Sequence, residues 1–355
     1  MINPRLKRLL ALCERARVDA FLVTACPNVT YLSGFKGTES WILVTAKARY
    51  FITDSRYAEQ ARKEIHGFKL ILRDGRSALQ MISDLVKRRG LKVLGFESSV
   101  LTYSLYLGLK DLLGESRLRA VSGLVEALRE VKDSSEICQI RKSVEIAVKG
   151  YHYARQFARP GMSERQVQAR LEYFTKSLGA EKPAFDIIIA SGPRSSMPHC
   201  QTNETKLQNN RPFLVDMGVV YNGYNSDLTR PSFLGRMNNL YKKIYEIVWT
   251  AQRRGIRKAC PGVLAGDVDA ACRETIRNSG YGKYFGHGTG HGVGLEVHEA
   301  PTISPRSKTV LRPGMVITVE PGVYLPGRFG VRIEDMLLIT NKGNEVLTRD
   351  LDKPV

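Results

Sequence analysis

Three of the six histidines of this 355-residue chain lie within sixteen residues, in the segment GHGTGHGVGLEVHEAP. The segment runs from Gly286 to Pro301, and five glycines alternate with His287 and His291 before His298 follows. Glycine lets backbones approach closely and tolerates positive φ, and imidazole is the commonest metal ligand among protein side chains. A segment that only packs in a core gains nothing from this composition. It therefore predicts a metal or catalytic centre, which would need carboxylates from other parts of the chain.

A predicted hairpin brings two aspartates together. The strands Phe213–Val220 and Tyr224–Thr229 flank Asn222-Gly223, and Asn-Gly favours a two-residue type I′ turn. In the register that this turn sets, Asp216 is a diagonal neighbour of Asp227 on one face of the hairpin. Two ionised carboxylates so close repel each other, and a divalent cation between them removes the repulsion. The hairpin therefore predicts part of a metal site.

Two glutamates stand where predicted apolar strands end or are interrupted. Glu320 ends the strand Met315–Glu320, and Glu334 lies within the strand Val331–Thr340. The sequence PGVYLPGRFG between these strands predicts a turn-rich loop. A carboxylate in such a setting must be paired or bind a metal, because burying a lone charge is costly.

The predicted metal ligands are four carboxylates and one imidazole, namely Asp216, Asp227, His291, Glu320 and Glu334. An oxygen-rich site suits divalent ions such as Mn²⁺, with Co²⁺, Fe²⁺ or Zn²⁺ as alternatives. Four carboxylates carry more negative charge than one ion needs, whereas two ions about 3.5–4 Å apart could share them. Any one of these acids alone could be an ordinary strand-end charge. The hairpin pair together with the histidine segment favours the metal site.

Three other histidines could act on a substrate. His298 lies seven residues after His291, so the two would face opposite sides of one regular strand unless the intervening glycines bend the chain. A neutral histidine beside a dinuclear centre can donate to a carbonyl or an oxyanion, and we expect this of His298. His199, which ends a loop rich in Gly, Pro and Ser, is a similar candidate. For His287, a structural hydrogen bond and a substrate contact both stay open.

Composition limits the class of protein. With 43% apolar and 25% charged residues the chain is typical of globular proteins, and its length favours two domains. The sequence contains no apolar run long enough for a membrane span, and the apolar part of its N-terminus is too short for a signal peptide. Six scattered cysteines without a CxxC pair suit reduced thiols, so we expect a cytoplasmic protein.

The net charge of +19 raises the question of a polyanionic partner. The basic residues are spread along the chain without a basic tail, and Lys87-Arg88-Arg89 is their densest cluster. A general bias of the surface explains this distribution better than a nucleic-acid site does. We therefore expect neither nucleic acid nor a membrane as a partner.

The elements around the site residues predict two domains, 1–128 and 129–355. Short apolar strands alternate with helices up to about residue 125, which is typical of an α/β unit of two or three layers. Pro27-Asn28 is expected to form a turn within this unit. The boundary is expected near Leu128–Ser135, where polar residues precede a long helix.

Four helices are predicted in the second domain. Two of them begin at capping boxes, in which Asp133 or Ser163 is followed three residues later by Glu or Gln. The other two are expected over residues 238–259 and 266–278.

These motifs resemble those of the pita-bread metallopeptidases, which include methionine aminopeptidase, prolidase, aminopeptidase P and creatinase. HGTGHGVGLEVHE looks like the signature of the proline-specific branch along its whole length. DMGVVYNGYNSDLTR is similar to the aspartate hairpin of that branch, and EPGVY and VRIED to its two glutamate segments. NVTYLSGF and TDSRY resemble its small creatinase-type domain, so the resemblance covers nearly the whole chain. It implies an α+β protein in which a pita-bread metallopeptidase domain follows a smaller N-terminal α/β domain.

The resemblance also implies a role for each site residue. Asp227 and Glu334 would bridge two metal ions, Asp216 would complete one site, and His291 and Glu320 would complete the other. Glu320 would also be the general base and proton shuttle.

The resemblance implies roles for three other residues near the substrate. His298 would bind the scissile carbonyl and then the oxyanion, and His199 would hold the substrate near the scissile nitrogen. Arg332 would support the site and is a further candidate for a substrate contact, and His287 is a candidate outside the resemblance.

The implied reaction is metal-dependent hydrolysis of the N-terminal Xaa-Pro bond of a peptide, whose proline is the second residue. HEAP and the short chain favour aminopeptidase P, which cuts longer peptides, and prolidase, which cuts only dipeptides, is the alternative. The family further implies a homodimer, for which the loop Gly34–Trp41 is a candidate contact. A binding protein on the same fold, acting on RNA for example, would be expected to lack metal ligands, and all five are present. Creatinase-type chemistry on a non-peptide substrate is a more remote alternative.

Overall fold

The structure is a computed structural model that describes residues 3–351. The chain divides into two compact units, Met1–Arg129 and Glu130–Val355. Among the described residues, none of the helices combines the length and the apolar character that crossing a membrane requires.

The N-terminal unit is built on a six-stranded sheet. Its elements are α1 (Pro4–Arg15), β1 (Ala20–Val23), α2 (Cys26–Ser33), β2 (Ser40–Thr45), β3 (Arg49–Thr53), α3 (Ala58–Glu64), β4 (Lys69–Leu72), α4 (Ala78–Arg88), β5 (Leu94–Glu97), α5 (Tyr103–Leu113), β6 (Leu118–Val121) and α6 (Leu124–Arg129). The strand order is β4-β3-β2-β1-β5-β6, with β2 antiparallel to both of its neighbours and the other pairs parallel. Ile82 and Val86, one turn apart on α4, pack with Leu22 and Leu43 in a buried core. The predicted α/β character of this unit is confirmed.

The turn predicted at Pro27-Asn28 is wrong, because these residues lie in α2. Pro27 stands in the first turn of that helix, where its missing N–H leaves no bond unmade. Asn28 is fully buried, donates to Glu97 Oε1 over 2.6 Å and accepts from Arg129 Nη1 over 2.8 Å. These partners come from distant parts of the chain, so a local turn signal could not anticipate them.

In the C-terminal unit, four helices form two pairs, and each pair packs on its own set of strands. The elements are α7 (Ser134–Phe157), α8 (Glu164–Ser177), β7 (Lys182–Pro183), β8 (Ile188–Ser191), β9 (Arg211–Met217), β10 (Val219–Tyr221), β11 (Tyr224–Asn225), β12 (Leu228–Leu234), α9 (Asn239–Lys258), α10 (Ala265–Asn278), β13 (Gly290–Gly292), β14 (Glu299–Ile303), β15 (Val316–Val319), β16 (Gly322–Leu325), β17 (Phe329–Arg332), β18 (Asp335–Thr340) and β19 (Gly343–Val346). One core joins α7 and α8 to β9, and another joins α9 and α10 to β15, β17 and β18. Both predicted capping boxes form, at Asp133 and at Ser163. The predicted α+β class is confirmed.

The strands that carry the site belong to several sheets. One sheet has the order β12-β9-β8, a second has the order β14-β13-β15-β18-β19, and β16 pairs with β17 alone. All the pairs in these sheets are antiparallel.

Two predictions about the glutamate segments are wrong. PGVYLPGRFG is not a loop, since β16 and β17 form a hairpin within it and only its centre, at Gly327 with φ 70°, is a turn. Val331 to Thr340 is not one strand, since β17 ends at Arg332 and β18 begins at Asp335. Glu334 therefore lies in a break between two strands. Its side chain does not have to follow the alternation of side chains between the two faces of a regular strand.

Candidate active site

The aspartate hairpin forms with the predicted turn and register. Asn222 and Gly223 have φ of 49° and 82°, as a type I′ turn requires. Asp216 stands opposite Thr229 in the pairing of β9 with β12. The predicted register is therefore confirmed.

The hairpin ladder is interrupted at Gly218. A Cβ there would lie 1.9 Å from the carbonyl oxygen of Ser226, so only glycine allows the two chains to approach this closely. Asp227 lies in the same interruption, and its N–H donates to Met336 Sδ over 3.2 Å. Asp216 and Asp227 are both buried, and each offers a carboxylate oxygen within 4.8 Å of the other.

The histidine segment bends at a bulge. Its strand β13 shifts register against β14 between Gly290 and Gly292. A Cβ on Gly290 would lie 2.1 Å from the oxygen of Thr318, and one on Gly292 would lie 2.2 Å from the oxygen of Ala300. None of the five glycines of this segment has a positive φ, so close approach rather than left-handed backbone explains Gly290 and Gly292.

This bend brings His291 and His298 to one place. Their ring centroids are 4.2 Å apart. His291 Nε2 lies 3.4 Å from Glu320 Oε1 and 3.6 Å from Asp227 Oδ2. Glu320 follows the end of β15, so it joins the cluster from a third segment of the chain.

The donor set fits divalent metal ions. In two groups of three side chains, the ligand atoms all lie within 4.8 Å of one another. The first group is Asp216, Asp227 and Glu334, and the second is His291, Glu320 and Glu334. The two groups share Glu334 and together contain all five predicted ligands. His298 forms a third such group with Asp227 and His291. Carboxylate oxygens with one or two imidazoles are the donors that Mn²⁺ and similar ions take.

The electrostatics of the carboxylates also fit a cation site. Burial raises the pKa of Asp227 well above its ordinary value, and the charges of Glu334 and Asp216 raise it further. The pKa of Glu334 is raised in the same way, by burial and then by Glu320 and Asp216. Burial also raises the pKa of Asp216, although Arg332 opposes this. Burial and mutual repulsion thus favour the protonated form of these acids in the absence of cations, and a bound cation would favour the ionised form.

Glu320 differs from the other carboxylates. Burial raises its pKa, but the hydrogen bond and charge of His291 and the charge of Arg332 outweigh burial and hold the pKa below its ordinary value. Glu320 therefore stays ionised at neutral pH and can accept a proton.

Arg332 is buried, and each of its guanidinium nitrogens donates to a protein group. Nε donates to Thr229 Oγ1 over 3.1 Å, Nη1 donates to the Tyr324 hydroxyl over 2.9 Å, and Nη2 donates to Asp216 Oδ2. Thr229 in turn donates to Glu334 Oε2 over 2.7 Å. Arg332 thus braces two of the proposed ligands.

A second group of buried residues holds the backbone of Glu334. Arg230 Nη1 donates to the carbonyl oxygen of Glu334, and Arg230 Nη2 donates to Asp335 Oδ1 over 2.6 Å. Asp335 also accepts from Gln252 and from Thr348. The sequence analysis missed these residues, although Arg230 and Asp335 each stand within three residues of a predicted ligand.

A cavity of about 780 Å³ opens over the proposed ligands. His199, His287 and His298 all line it, so the structure brings every predicted site residue to one cavity. Phe185 and Ile188 give the cavity apolar walls that the sequence analysis did not identify. The lining combines acid–base groups with the apolar surface that a small peptide side chain would contact.

Neither His287 nor Cys200 has the features of a group that acts on a substrate. His287 Nε2 lies 2.8 Å from the Tyr324 hydroxyl, and His287 Nδ1 lies 2.7 Å from the oxygen of Gly288, so both ring nitrogens already have protein partners. Burial raises the pKa of Cys200, which keeps the thiol protonated and unsuited to nucleophilic attack.

Comparison with known proteins agrees with this geometry. Residues 138–341 match the model of metallopeptidase family M24, and residues 5–131 match that of the creatinase/prolidase N-terminal domain. The Xaa-Pro dipeptidase of Pyrococcus horikoshii is 40% identical over 98% of this chain and 98% of its own. The structure of an Xaa-Pro dipeptidase from Bacillus anthracis is 41% identical with a TM-score of 0.95, covering 99% of this chain and 98% of that one. An X-Pro aminopeptidase from Thermotoga maritima is 36% identical with a TM-score of 0.89, covering 97% of each chain.

Proposed function

The chain belongs to metallopeptidase family M24, and on that premise we propose that it is an Xaa-Pro dipeptidase, which splits a dipeptide whose second residue is proline. The observation that carries the proposal is that five candidate metal ligands lie in one cavity with three further histidines, His199, His287 and His298. Relatives named Xaa-Pro dipeptidase that match nearly the whole chain favour this substrate over the longer peptides preferred in the sequence analysis. Cleavage of longer peptides by an aminopeptidase becomes the alternative hypothesis, and the similarity to the X-Pro aminopeptidase of Thermotoga maritima supports it.

The family is metal-dependent, and this chain would hold two divalent ions. Asp216, Asp227 and Glu334 would hold one ion, and His291, Glu320 and Glu334 the other, with Asp227 shared as the family resemblance implies. Bound divalent ions supply Lewis-acid activation of water and of the scissile carbonyl. Manganese is the first candidate, with cobalt, iron or zinc as alternatives. Metal analysis of protein purified without added metal, followed by reconstitution with each ion, tests the identity and the number.

Glu320 is the proposed general base. As an ionised carboxylate it accepts a proton from the attacking water and passes it to the proline nitrogen as the C–N bond breaks. This nitrogen carries no N–H in the substrate, so the leaving amine gains its first proton in this step. Glu320→Gln cannot accept that proton, and we expect it to be inactive.

His298 and His199 are the proposed substrate-orienting groups. Burial, and then the nearby His291, lower the pKa of His298, so that its imidazole is neutral at neutral pH. A neutral imidazole can donate one N–H to the scissile carbonyl and keep that bond as the oxygen gains negative charge. His199 lines the same cavity and would hold the substrate beside its scissile nitrogen.

Competing substrates test the proposed function. We expect the manganese-loaded protein to cleave Ala-Pro with a higher kcat/KM than Ala-Pro-Ala, and Ala-Ala much more slowly than both. Equal or better cleavage of the tripeptide would favour the aminopeptidase reading. No cleavage of either proline peptide, together with salt-dependent binding of RNA, would favour a binding protein on the same fold.

A homodimer and a cytoplasmic location are further proposals. The family resemblance supports the dimer, with Gly34–Trp41 as the candidate contact. All six cysteines are free thiols, which suits a reducing compartment. Light scattering on the purified protein tests the dimer, and cell fractionation tests the location.

A further inference from the structure

A hydrogen-bond chain of defined direction leads away from Asp216. Arginine can only donate, so Arg332 Nη1 donates to the Tyr324 hydroxyl over 2.9 Å. That hydroxyl keeps one proton of its own, which it can donate to its other partner, His287 Nε2, 2.8 Å away. His287 accepts this proton at Nε2 when its own proton is on Nδ1.

The far end of the chain fixes its direction. His287 Nδ1 lies 2.7 Å from the carbonyl oxygen of Gly288, and a carbonyl can only accept. His287 Nδ1 must therefore donate to this carbonyl, and since a neutral imidazole has only one N–H, Nε2 is left to accept the proton of Tyr324.

The fold makes room for the hydroxyl at the centre of this chain. Tyr324 is buried, and a Cβ on Gly322 would lie 2.6 Å from its hydroxyl oxygen. Glycine at 322 thus keeps free the space that the Tyr324 hydroxyl occupies.

The guanidinium group transmits the position of Tyr324 to the metal site. Because the group is planar and rigid, fixing Nη1 of Arg332 also fixes Nη2, which donates to Asp216 Oδ2. Groups that orient metal ligands in this way change metal affinity or activity by about 10–100-fold when they are removed.

We propose that Tyr324 is a positioning residue that holds Arg332 on Asp216, and that His287 ends this chain as the Nδ1–H tautomer rather than donating to the peptide. This inference rests on the proposed function only in taking Asp216 as a metal ligand. It decides between the two roles that the sequence leaves open for His287, and it gives Tyr324 a role.

The direction of the chain can be measured without any assay of activity. In the full-length protein loaded with diamagnetic Zn²⁺ and labelled with ¹⁵N-histidine, we expect His287 to show a protonated Nδ1 and an unprotonated Nε2. The signal is assigned by its loss in His287→Gln. A protonated Nε2 would overturn the proposal.

Kinetics and metal titration test the positioning role. We expect Tyr324→Phe to lower Mn²⁺ affinity or kcat by about 10–100-fold and to leave KM for the dipeptide within about twofold of the wild type. Tyr241→Phe is the matched control, since it removes a buried hydroxyl that has no hydrogen-bond partner among residues 3–351. A raised KM with unchanged kcat and metal affinity would contradict the proposal, as would a loss of thermal stability alone.

Two substitutions of His287 separate its acceptor from its donor. The carbonyl oxygen of glutamine can take the place of Nε2, whereas the side chain of asparagine reaches only the position of Nδ1. We expect His287→Gln to retain most of the metal affinity and His287→Asn to lose as much as Tyr324→Phe, and the reverse order would overturn the proposal. If the wild type cleaves no Xaa-Pro dipeptide, the proposed function fails, while the tautomer and the metal titration still decide this inference.

Discussion

The Thr229 hydroxyl donates a hydrogen bond to Glu334 Oε2 over 2.7 Å. The same hydroxyl accepts from Arg332 Nε over 3.1 Å. Thr229 also stands directly opposite Asp216 in the hairpin. One small side chain therefore connects the aspartate hairpin, the buried arginine and the glutamate that both proposed metal groups share.

Replacing this threonine should weaken the metal site without disturbing the packing around it. Thr229→Val keeps the shape but leaves Glu334 without its donor and Arg332 Nε without its acceptor. We expect a loss of about 10–100-fold in Mn²⁺ affinity or in kcat. Isothermal titration with Mn²⁺ measures the first effect, and dipeptide hydrolysis measures the second. Thr229→Ser retains the hydroxyl and should stay close to the wild type, so an equal loss in both variants would contradict the assigned role.

The carboxylate cluster, formed by Asp216, Asp227 and Glu334, should make the metal-free protein less stable at higher pH. The pKa of Asp227 is raised on folding, first by burial and then by Glu334 and Asp216. A carboxyl of this kind stabilises the fold at low pH, and that stability is lost as the pH rises through the raised pKa. We expect Asp227→Asn to abolish activity, to raise the Tm of the metal-free protein at about pH 8, and to raise it less at about pH 5.

Scanning calorimetry of the metal-free proteins at both pH values measures this difference. Asp186→Asn is the control, because Asp186 is an exposed acid that lines the same cavity outside the carboxylate cluster. A lower Tm for Asp227→Asn at about pH 8 would show that the ionised cluster does not destabilise the metal-free fold.

Much of the site could be predicted because its signals are local. The turn at Asn222-Gly223 sets the register of the hairpin, so the spacing of Asp216 and Asp227 was enough to bring them together. The glycines of the histidine segment indicated a bend, although Gly290 and Gly292 are needed for close backbone contact rather than for positive φ.

The supporting residues could not be predicted, because their partners are brought together only by the tertiary fold. Tyr324 reaches His287 across 37 positions, and Asp335 accepts from Gln252 on α9 across 83 positions. No periodicity or motif in either segment indicates such a contact. The same limit explains Asn28. Its local sequence indicates a turn, but buried hydrogen-bond partners from distant parts of the chain hold it in a helix.

The buried ion pair of Arg230 and Asp335 should contribute far more to the free energy of unfolding than an exposed ion pair does. Their side chains are 5% and 9% exposed and lie 2.6 Å apart. Asp335→Asn removes one charge and leaves the other buried without its partner, which we expect to cost about 3–5 kcal/mol of unfolding free energy. The control Glu145→Gln loses pairs with Lys142 and Lys149, but all three side chains are 44–55% exposed, so the cost should stay below about 1 kcal/mol.

Urea unfolding of the two variants, each loaded with the same metal, measures both costs. Since Arg230 also donates to the carbonyl oxygen of Glu334, Asp335→Asn should weaken Mn²⁺ binding as well. A small cost for Asp335→Asn with unchanged metal affinity would mean that the hydrogen bonds from Gln252 and Thr348 suffice to hold this segment.

Two glycines of the histidine segment should differ sharply when replaced by alanine. A Cβ at Gly290 would lie 2.1 Å from the backbone oxygen of Thr318, and backbone in a paired strand cannot move aside as a flexible side chain can. We expect Gly290→Ala to cost about 1–3 kcal/mol and to displace His291, whose N–H is bonded to Thr318 Oγ1 over 3.1 Å. At Gly286 a Cβ meets no atom within 4 Å and φ is not positive, so Gly286→Ala should be neutral or slightly stabilising. Thermal unfolding and Mn²⁺ titration of the two variants test this contrast, and equal losses would mean that flexibility of the whole segment, rather than close approach at β13, is what the glycines provide.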